Sequence, residues 1–389
     1  MDSVLKENAQ WINDTWEKID RKLSKVCIRS RDKLPFTTVD GVHDDKSVIE
    51  PSKWTNGFWG GMMWLMYVGT GNEEYKKTAI RSEELLDKAL ERYKSLHHDV
   101  GFMWLPTSVA NYRITGDQKA FNKSLYIASV LASRFRVEGG YIRAWNNWRD
   151  APVDPNKTHS IVDCLLNIPL LYWASDVIGD DRFARMAMLH ADMTIRDHIR
   201  PDGSINHIVR HVDGTNQVEA VYSGQGYSET SSWSRGVAWA VYGMALSYIH
   251  TKQQRYLDAA ILTADHFIKY CKENDYLTPL DFLAPKDPMY YDASAGMCAA
   301  CGMIEIAKAL GGERGKYYME EAIKILQAAD KHFCNYSDDE DALVLMNSGS
   351  YPREGVKVEK CLLHTSLIWS DFYFVEAMLK LKGNDFLIW

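Results

Sequence analysis

The chain has 389 residues, of which 46% are hydrophobic and 25% charged, with a formal net charge of −7. These are the proportions of a globular protein, and the acidic balance argues against nucleic acid or an anionic membrane surface as a partner. Thirteen tryptophans and 21 tyrosines are many for this length, enough to fill an aromatic core and still leave flat rings for stacking on sugars.

Met1-Asp2-Ser3-Val4 opens the chain without a basic segment leading into an apolar run, and no uninterrupted stretch of about 18 apolar residues follows. Neither a signal peptide nor a membrane span is expected, and the expected location is cytoplasmic.

An internal repeat then organises the sequence. An apolar helix ends in a turn of Gly and a polar residue, an aromatic opens a second helix, and a small residue follows. Copies run from Met63 through Gly71-Asn72 to Tyr75 and Ala79, and from Tyr112 through Gly116-Asp117 to Phe121 and Ala128. Others run from Tyr172 through Gly179-Asp180 to Phe183 and Ala187, from Leu246 to Tyr256 and Ala260, and from Ile304 through Gly315 to Tyr317 and Ala322. A last copy begins at Phe374 and stops soon after Gly383-Asn384. Apolar positions recur with the helical period, and Gly before Asn or Asp suits a tight turn because both tolerate left-handed backbone. The repeat predicts about six hairpins, hence about twelve helices. No copy is a polar cap, and the intervening segments are long and dissimilar, which favours a ring over an open solenoid. The expectation is an all-α (α/α)6 barrel, one domain over residues 1–389, with the inter-hairpin segments gathered at one mouth.

The cysteines are Cys27, Cys164, Cys271, Cys298, Cys301, Cys334 and Cys361. The C-x-x-C of Cys298 and Cys301 lies in an apolar helical run without a second ligand pair, so reduced core thiols are expected, and neither a metal nor a cofactor.

Asp163 is a lone acid ahead of an unbroken apolar helix. It reads either as a buried carboxyl poised to donate and accept protons or as a helix cap. Asp99 follows His97-His98 and precedes Gly101, a tight turn. Two carboxyls meeting at a barrel mouth would push one pKa up and leave the other ionised, the arrangement of a sugar hydrolase. The His-His-Asp string is also a possible metal ligand set, although adjacent histidines rarely point at one ion and no supporting motif accompanies it. Arg235, between Trp233 and Trp239, is either stacked on tryptophan or a clamp for an acidic sugar. P-loop, G-x-S-x-G and dinucleotide fingerprints do not occur.

The segments WTNGFWGG, HHDVGF, YIRAW, IVDCLLNIPLLYWA, GQGYS with SSWSRG, DASAG and SDFYFVEAMLKL, in this order from Trp54 almost to the C-terminus, resemble glycoside hydrolase family 88, the unsaturated glucuronyl hydrolases. The resemblance implies the same barrel and, as substrate, an oligosaccharide ending in the 4,5-unsaturated uronic acid that lyases leave. It implies hydration of the C4=C5 bond, with Asp163 as acid and base and Asp99 holding the sugar and shaping the field. His190 and Gln225 would position water and substrate, and Trp54, Trp145 and Trp233 would stack on sugar rings. His98 and Arg235 would contact hydroxyls and the carboxylate, and Trp239 and Tyr351 would complete the binding surface. Gly224 and Val237 depart from some members. The stretch from Ser348 to Lys360, with Arg353, Lys357 and Lys360, is either an anion site for the next sugar or a solvated basic loop. Three alternatives stand beside this reading: a family 105 rhamnogalacturonyl hydrolase on pectin fragments, an inverting glycosidase on saturated bonds, and a non-catalytic scaffold or glycan-binding protein. The protein is expected to be a monomer or dimer.

Overall fold

The computed structural model describes residues 2–147, 153–354 and 357–389. Its helices in chain order are α1 (Asp2–Glu7), α2 (Ala9–Arg29), α3 (Asn56–Thr70), α4 (Glu73–Leu86), α5 (Val100–Trp104), α6 (Ala110–Thr115), α7 (Gln118–Ala132), α8 (Pro169–Ile178), α9 (Arg182–Asp197), α10 (Ser234–Thr251), α11 (Gln254–Lys272), α12 (Ala293–Leu310), α13 (Gly312–His332) and α14 (Ile368–Leu381).

Two kinds of helix alternate. The odd-looking ones are apolar on every side: α3, α10, α12 and α14 are buried along most of their length. By contrast, α2, α4, α7, α9, α11 and α13 bury one stripe and show polar residues outward. A helix buried all round belongs inside and an amphipathic one outside. Accordingly α3, α5–α6, α8, α10, α12 and α14 form the inner wall of an (α/α)6 barrel, each backed by an outer helix. Helix α12 is long and apolar enough to cross a bilayer, yet 83% of it is buried in the barrel. The run α5–α6 is broken by a π-turn, Leu105–Val109, which holds Pro106; proline has no N–H to give and forces the ladder open.

The repeat turns behave as expected. Gly71, Gly116 and Gly179 end α3, α6 and α8 in left-handed backbone. Asn72 then accepts the N–H of Glu74, and Asp117 those of Lys119 and Ala120. Two features differ. The fifth turn lies at Gly311, and Gly315 is inside α13. The last inner helix, α14, takes its outer partner from the other end of the chain: α2 packs on α14 and closes the ring. A Cβ at Gly69 of α3 would lie 2.4 Å from the Trp16 indole of α2, so a bare backbone receives that ring.

The inter-hairpin segments also contain short strands, which the all-helical expectation omitted. These are β1 (Thr38–Val39), β2 (Val42–His43), β3 (Phe135–Arg136), β4 (Tyr141–Ile142), β5 (His159–Ile161), β6 (Ile208–His211) and β7 (Val218–Tyr222). β5, β6 and β7 make one antiparallel sheet. At the opposite end, the Trp389 side chain is fully buried and stacks on Tyr373, while Arg113 donates to the carbonyls of Leu387 and Trp389.

Candidate active site

All inner helices start at the same mouth. The partial positive charges of their N-termini converge there, a field that favours an anionic sugar.

The β5–β6 register builds one side of the site. Ile161 lies opposite Ile208, and the Val162 N–H donates to the His207 carbonyl at 3.1 Å. The pairing therefore brings Asp163 next to the His207 ring, with Nε2 3.4 Å from Asp163 Oδ1. His207 Nδ1 is held between the Gln225 N–H at 3.0 Å and the Ser223 carbonyl at 3.1 Å, which fixes the ring with Nε2 facing the carboxyl. Gly224 makes this cradle. A Cβ there would fall 2.0 Å from His207 Nδ1. Trp233 covers the other face of the imidazole, with ring centroids 4.1 Å apart.

The other side is the turn before α5. Asp99 is buried, and its Oδ1 accepts from Asn167 Nδ2 at 3.2 Å. His98 Nδ1 lies 3.3 Å from Asp99 Oδ1, and His97 Nδ1 lies 3.4 Å from Oδ2. Burial, and next the charge on Asp163, pushes the Asp99 carboxyl well above the usual range. Burial holds the His98 imidazole well below its ordinary value and brings His97 down to about 3. His97, His98 and Asp99 bring ligand atoms within 4.8 Å of one another. Adjacent histidines are expected to diverge. The turn makes them converge, and by position they form a set that could hold a metal ion.

Asp163 does not cap a helix. It sits in a 3-10 turn, Val162–Leu166, and its Oδ1 is buried without a hydrogen-bond partner. Both ring nitrogens of His98 are likewise buried and unpartnered. Trp54 is half-buried and meets Phe102 and Trp369 at centroid distances of 5.3 and 4.9 Å. Half-buried Trp145 lies 6.3 Å from His98. Gln225 reaches the site through its backbone, and its carbonyl accepts the Tyr351 N–H at 2.8 Å. The Tyr351 ring packs on Tyr227 and Tyr290.

Three expected residues are used differently. His190 is fully buried, and its Nδ1 accepts the Ile142 N–H at 3.1 Å, so it props β4 from behind. The histidine beside Asp163 is His207. Arg235 is 2% exposed. It pairs with Asp292, donates to the carbonyls of Ser348 and Gly349 at 2.8 and 2.6 Å, and sits over the rings of Trp233 and Trp369. The carboxylate it clamps belongs to the protein. Trp239 is 1% exposed and packs on Phe102 and Tyr373, below the site. In the basic stretch, Arg353 bonds Ser223 Oγ and the Gly224 carbonyl, while Lys357 and Lys360 are exposed. Gly355 and Val356 of that stretch lie outside the described residues.

Residues 32–248 match the family model for Glycosyl Hydrolase Family 88. The chain is 35% identical over 360 residues to the unsaturated glucuronyl hydrolase of Bacillus sp. (strain GL1), covering 90% of this chain and 91% of that one. It is 30% identical to the unsaturated chondroitin disaccharide hydrolase of Streptococcus pneumoniae (strain ATCC BAA-255 / R6), over 96% of this chain and 92% of that one. The crystal structure of the unsaturated glucuronyl hydrolase from Bacillus sp. GL1, responsible for the degradation of glycosaminoglycan, superposes with a TM-score of 0.85. That match covers 94% of this chain and 97% of that one at 30% identity.

Proposed function

The chain belongs to glycosyl hydrolase family 88, and from that premise we propose that Asp163 and Asp99 hydrate the C4=C5 bond of an unsaturated uronic acid. The protein is a glycoside hydrolase that releases this sugar from the non-reducing end of glycosaminoglycan-type oligosaccharides. The named relatives act on chondroitin- and glucuronyl-type substrates, so a pectin fragment is the less favoured substrate.

The observation that carries the assignment of residues is the nearness of two carboxyls: Asp99, buried, with its pKa raised by burial and by the Asp163 charge, and half-buried Asp163, whose Oδ1 has no hydrogen-bond partner. Burial and the neighbouring Asp163 charge favour the protonated form of Asp99. Asp163 delivers a proton to C4 of the vinyl ether, and positive charge builds at C5 and the ring oxygen. Water then adds to C5 and returns its proton to Asp163. The hemiketal opens to the 5-keto form, and C1 releases the partner sugar. No net proton is consumed. The His207 ring, with Nε2 3.4 Å from Asp163 Oδ1, orients the carboxyl. His98 supplies polar contact to the bound ring, Trp54, Trp145 and Trp233 wall it, and the converging helix N-termini attract its carboxylate.

The test is loss of the ultraviolet absorbance of the conjugated double bond, run on chondroitin-, hyaluronan-, heparin- and pectin-derived fragments with wild type and Asp163→Asn. Wild type should bleach one of the first three fastest, and Asp163→Asn should lose about 1,000-fold in kcat, within the span of general acid–base catalysis. A folded wild type that bleaches none of them would sink the reading.

A further inference from the structure

One face of the β5–β6–β7 sheet packs on α9. Ser160 and Val209 pair across it, both fully buried, and Ser160 Oγ lies 3.8 Å from Met193 Sδ. Alternate residues of each strand belong to the opposite face. There His159 pairs with Arg210, and Ile208 with Tyr222. Ile208, Arg210 and Tyr222 are half-buried. A row of flat rings runs along this face from the acids: Trp145 lies 6.3 Å from His98, His159 6.2 Å from Trp145, and Tyr222 5.8 Å from His159. The row also joins the cradle of His207, because Tyr222 precedes Ser223 and Gly224, which hold that ring.

Two details set the chemistry that this row can meet. His159 is 9% exposed, and its Nδ1 is buried without a hydrogen-bond partner. Burial, and next the Arg210 charge, lowers its pKa, so the ring is neutral, with one nitrogen to donate and one to accept. Arg210 lies over the Tyr222 ring at 5.7 Å, and its charge is met by Glu219 at 3.1 Å. The row therefore offers apolar ring faces and a neutral polar tip, which suit the C–H face and the hydroxyls of a pyranose. Three steps of this length exceed one sugar ring, so the unsaturated uronic acid at the carboxyls leaves the outer rings uncovered. The rest of its own chain, joined at C1, is the ligand continuous with it.

We propose that the row from Trp145 through His159 to Tyr222 is a binding lane for the sugars that follow the unsaturated uronic acid, held by their ring faces and hydroxyls rather than by their charges. The lane rests on the hydration reading and extends it to chain length: the protein prefers longer fragments to disaccharides.

The test compares an unsaturated disaccharide with an unsaturated tetrasaccharide made by one lyase from one polysaccharide, the one whose disaccharide wild type bleaches fastest. Wild type should show a kcat/KM about 3- to 10-fold higher on the tetrasaccharide, the size of one ring contact or hydrogen bond, expressed mainly in KM. Tyr222→Leu and His159→Gln keep most of the side-chain volume, and in each that ratio should fall towards one. Wild-type bleaching of the disaccharide is measured first: its absence removes the hydration reading itself. With an active wild type, equal kcat/KM on the two lengths overturns the lane, and so does a ratio that survives substitution in protein that melts like wild type. Where both variants melt early, the wild-type ratio decides alone.

Discussion

The barrel buries charge at both ends, and the two ends treat it differently. At the closed end Lys380 Nζ donates to Glu305 at 2.6 Å and lies 3.5 Å from Glu376. Glu376 also accepts from Tyr242 OH and from Trp389 Nε1 at 3.1 Å. Burial works against the Lys380 charge, and the two carboxylates more than offset it, leaving its pKa raised. Among the described residues, no polar side-chain atom of this cluster lacks a partner. At the mouth, Asp163 Oδ1, His207 Nε2, Trp233 Nε1 and both nitrogens of His98 are buried without one. A native chain tolerates such unmet groups where something else completes them. The Lys380 cluster is completed by the protein's own groups, whereas the cluster around Asp163 and His98 leaves polar atoms for a ligand to meet.

Substitutions should separate the two ends. Lys380→Met leaves two buried carboxylates uncompensated and should destabilise the fold by about 3–5 kcal/mol. Its kcat, measured below the melting transition, should stay within about twofold of wild type; a large fall in kcat would tie the two clusters together. His207→Gln should do the reverse, lowering kcat about 100-fold, as expected for a group assisting proton transfer, with little change in melting temperature. A large loss of stability without loss of rate would make His207 structural. His190 stands between these cases, and its effect appears only as pH falls. Burial brings its pKa down to about 3, whereas a free imidazole titrates near 6.5. The unfolded chain therefore takes up a proton below about pH 6.5 that the folded chain refuses, and this group's contribution to stability shrinks as pH falls. The stability gap between wild type and His190→Gln should narrow by up to about 1.4 kcal/mol per pH unit between 6.5 and 4. A gap independent of pH would mean that His190 is solvated in the native state.

Much of the barrel could be read from local pattern. Helical periodicity and Gly-Asn or Gly-Asp turns are short-range signals, and they placed the hairpins. Asp99 and Asp163 stood out because an acid beside an apolar helix is unusual within a few residues of sequence. What escaped depends on partners distant in the chain. His207 reaches Asp163 through strand register, and its local sign was only Ile208-Val209-Arg210-His211, a run too short and half-polar to mark a strand. His190, set in a clear helix, was singled out through the family resemblance, and nothing local in its sequence shows that it backs β4. Arg235 is consumed by Asp292, 57 positions away, a pairing no spacing predicts. Asn167 was visible in its segment, but its bond to Asp99 needs the Phe102 N–H to set its orientation.

The closure of the ring by α2 has a kinetic consequence. Trp11 on α2 donates to Asp330 on α13 across 319 positions of sequence, and Gly69 of α3 faces both Trp16 of α2 and Leu379 of α14. Neighbouring hairpins involve short loops and can assemble early, while contacts between distant segments carry the larger entropic cost of closure. The seam of α2, α3 and α14 is therefore the step that waits for the whole circle, and until it forms the apolar flanks of α3 and α14 stay open to solvent. A chaperone or an aggregating neighbour would meet the protein at that seam.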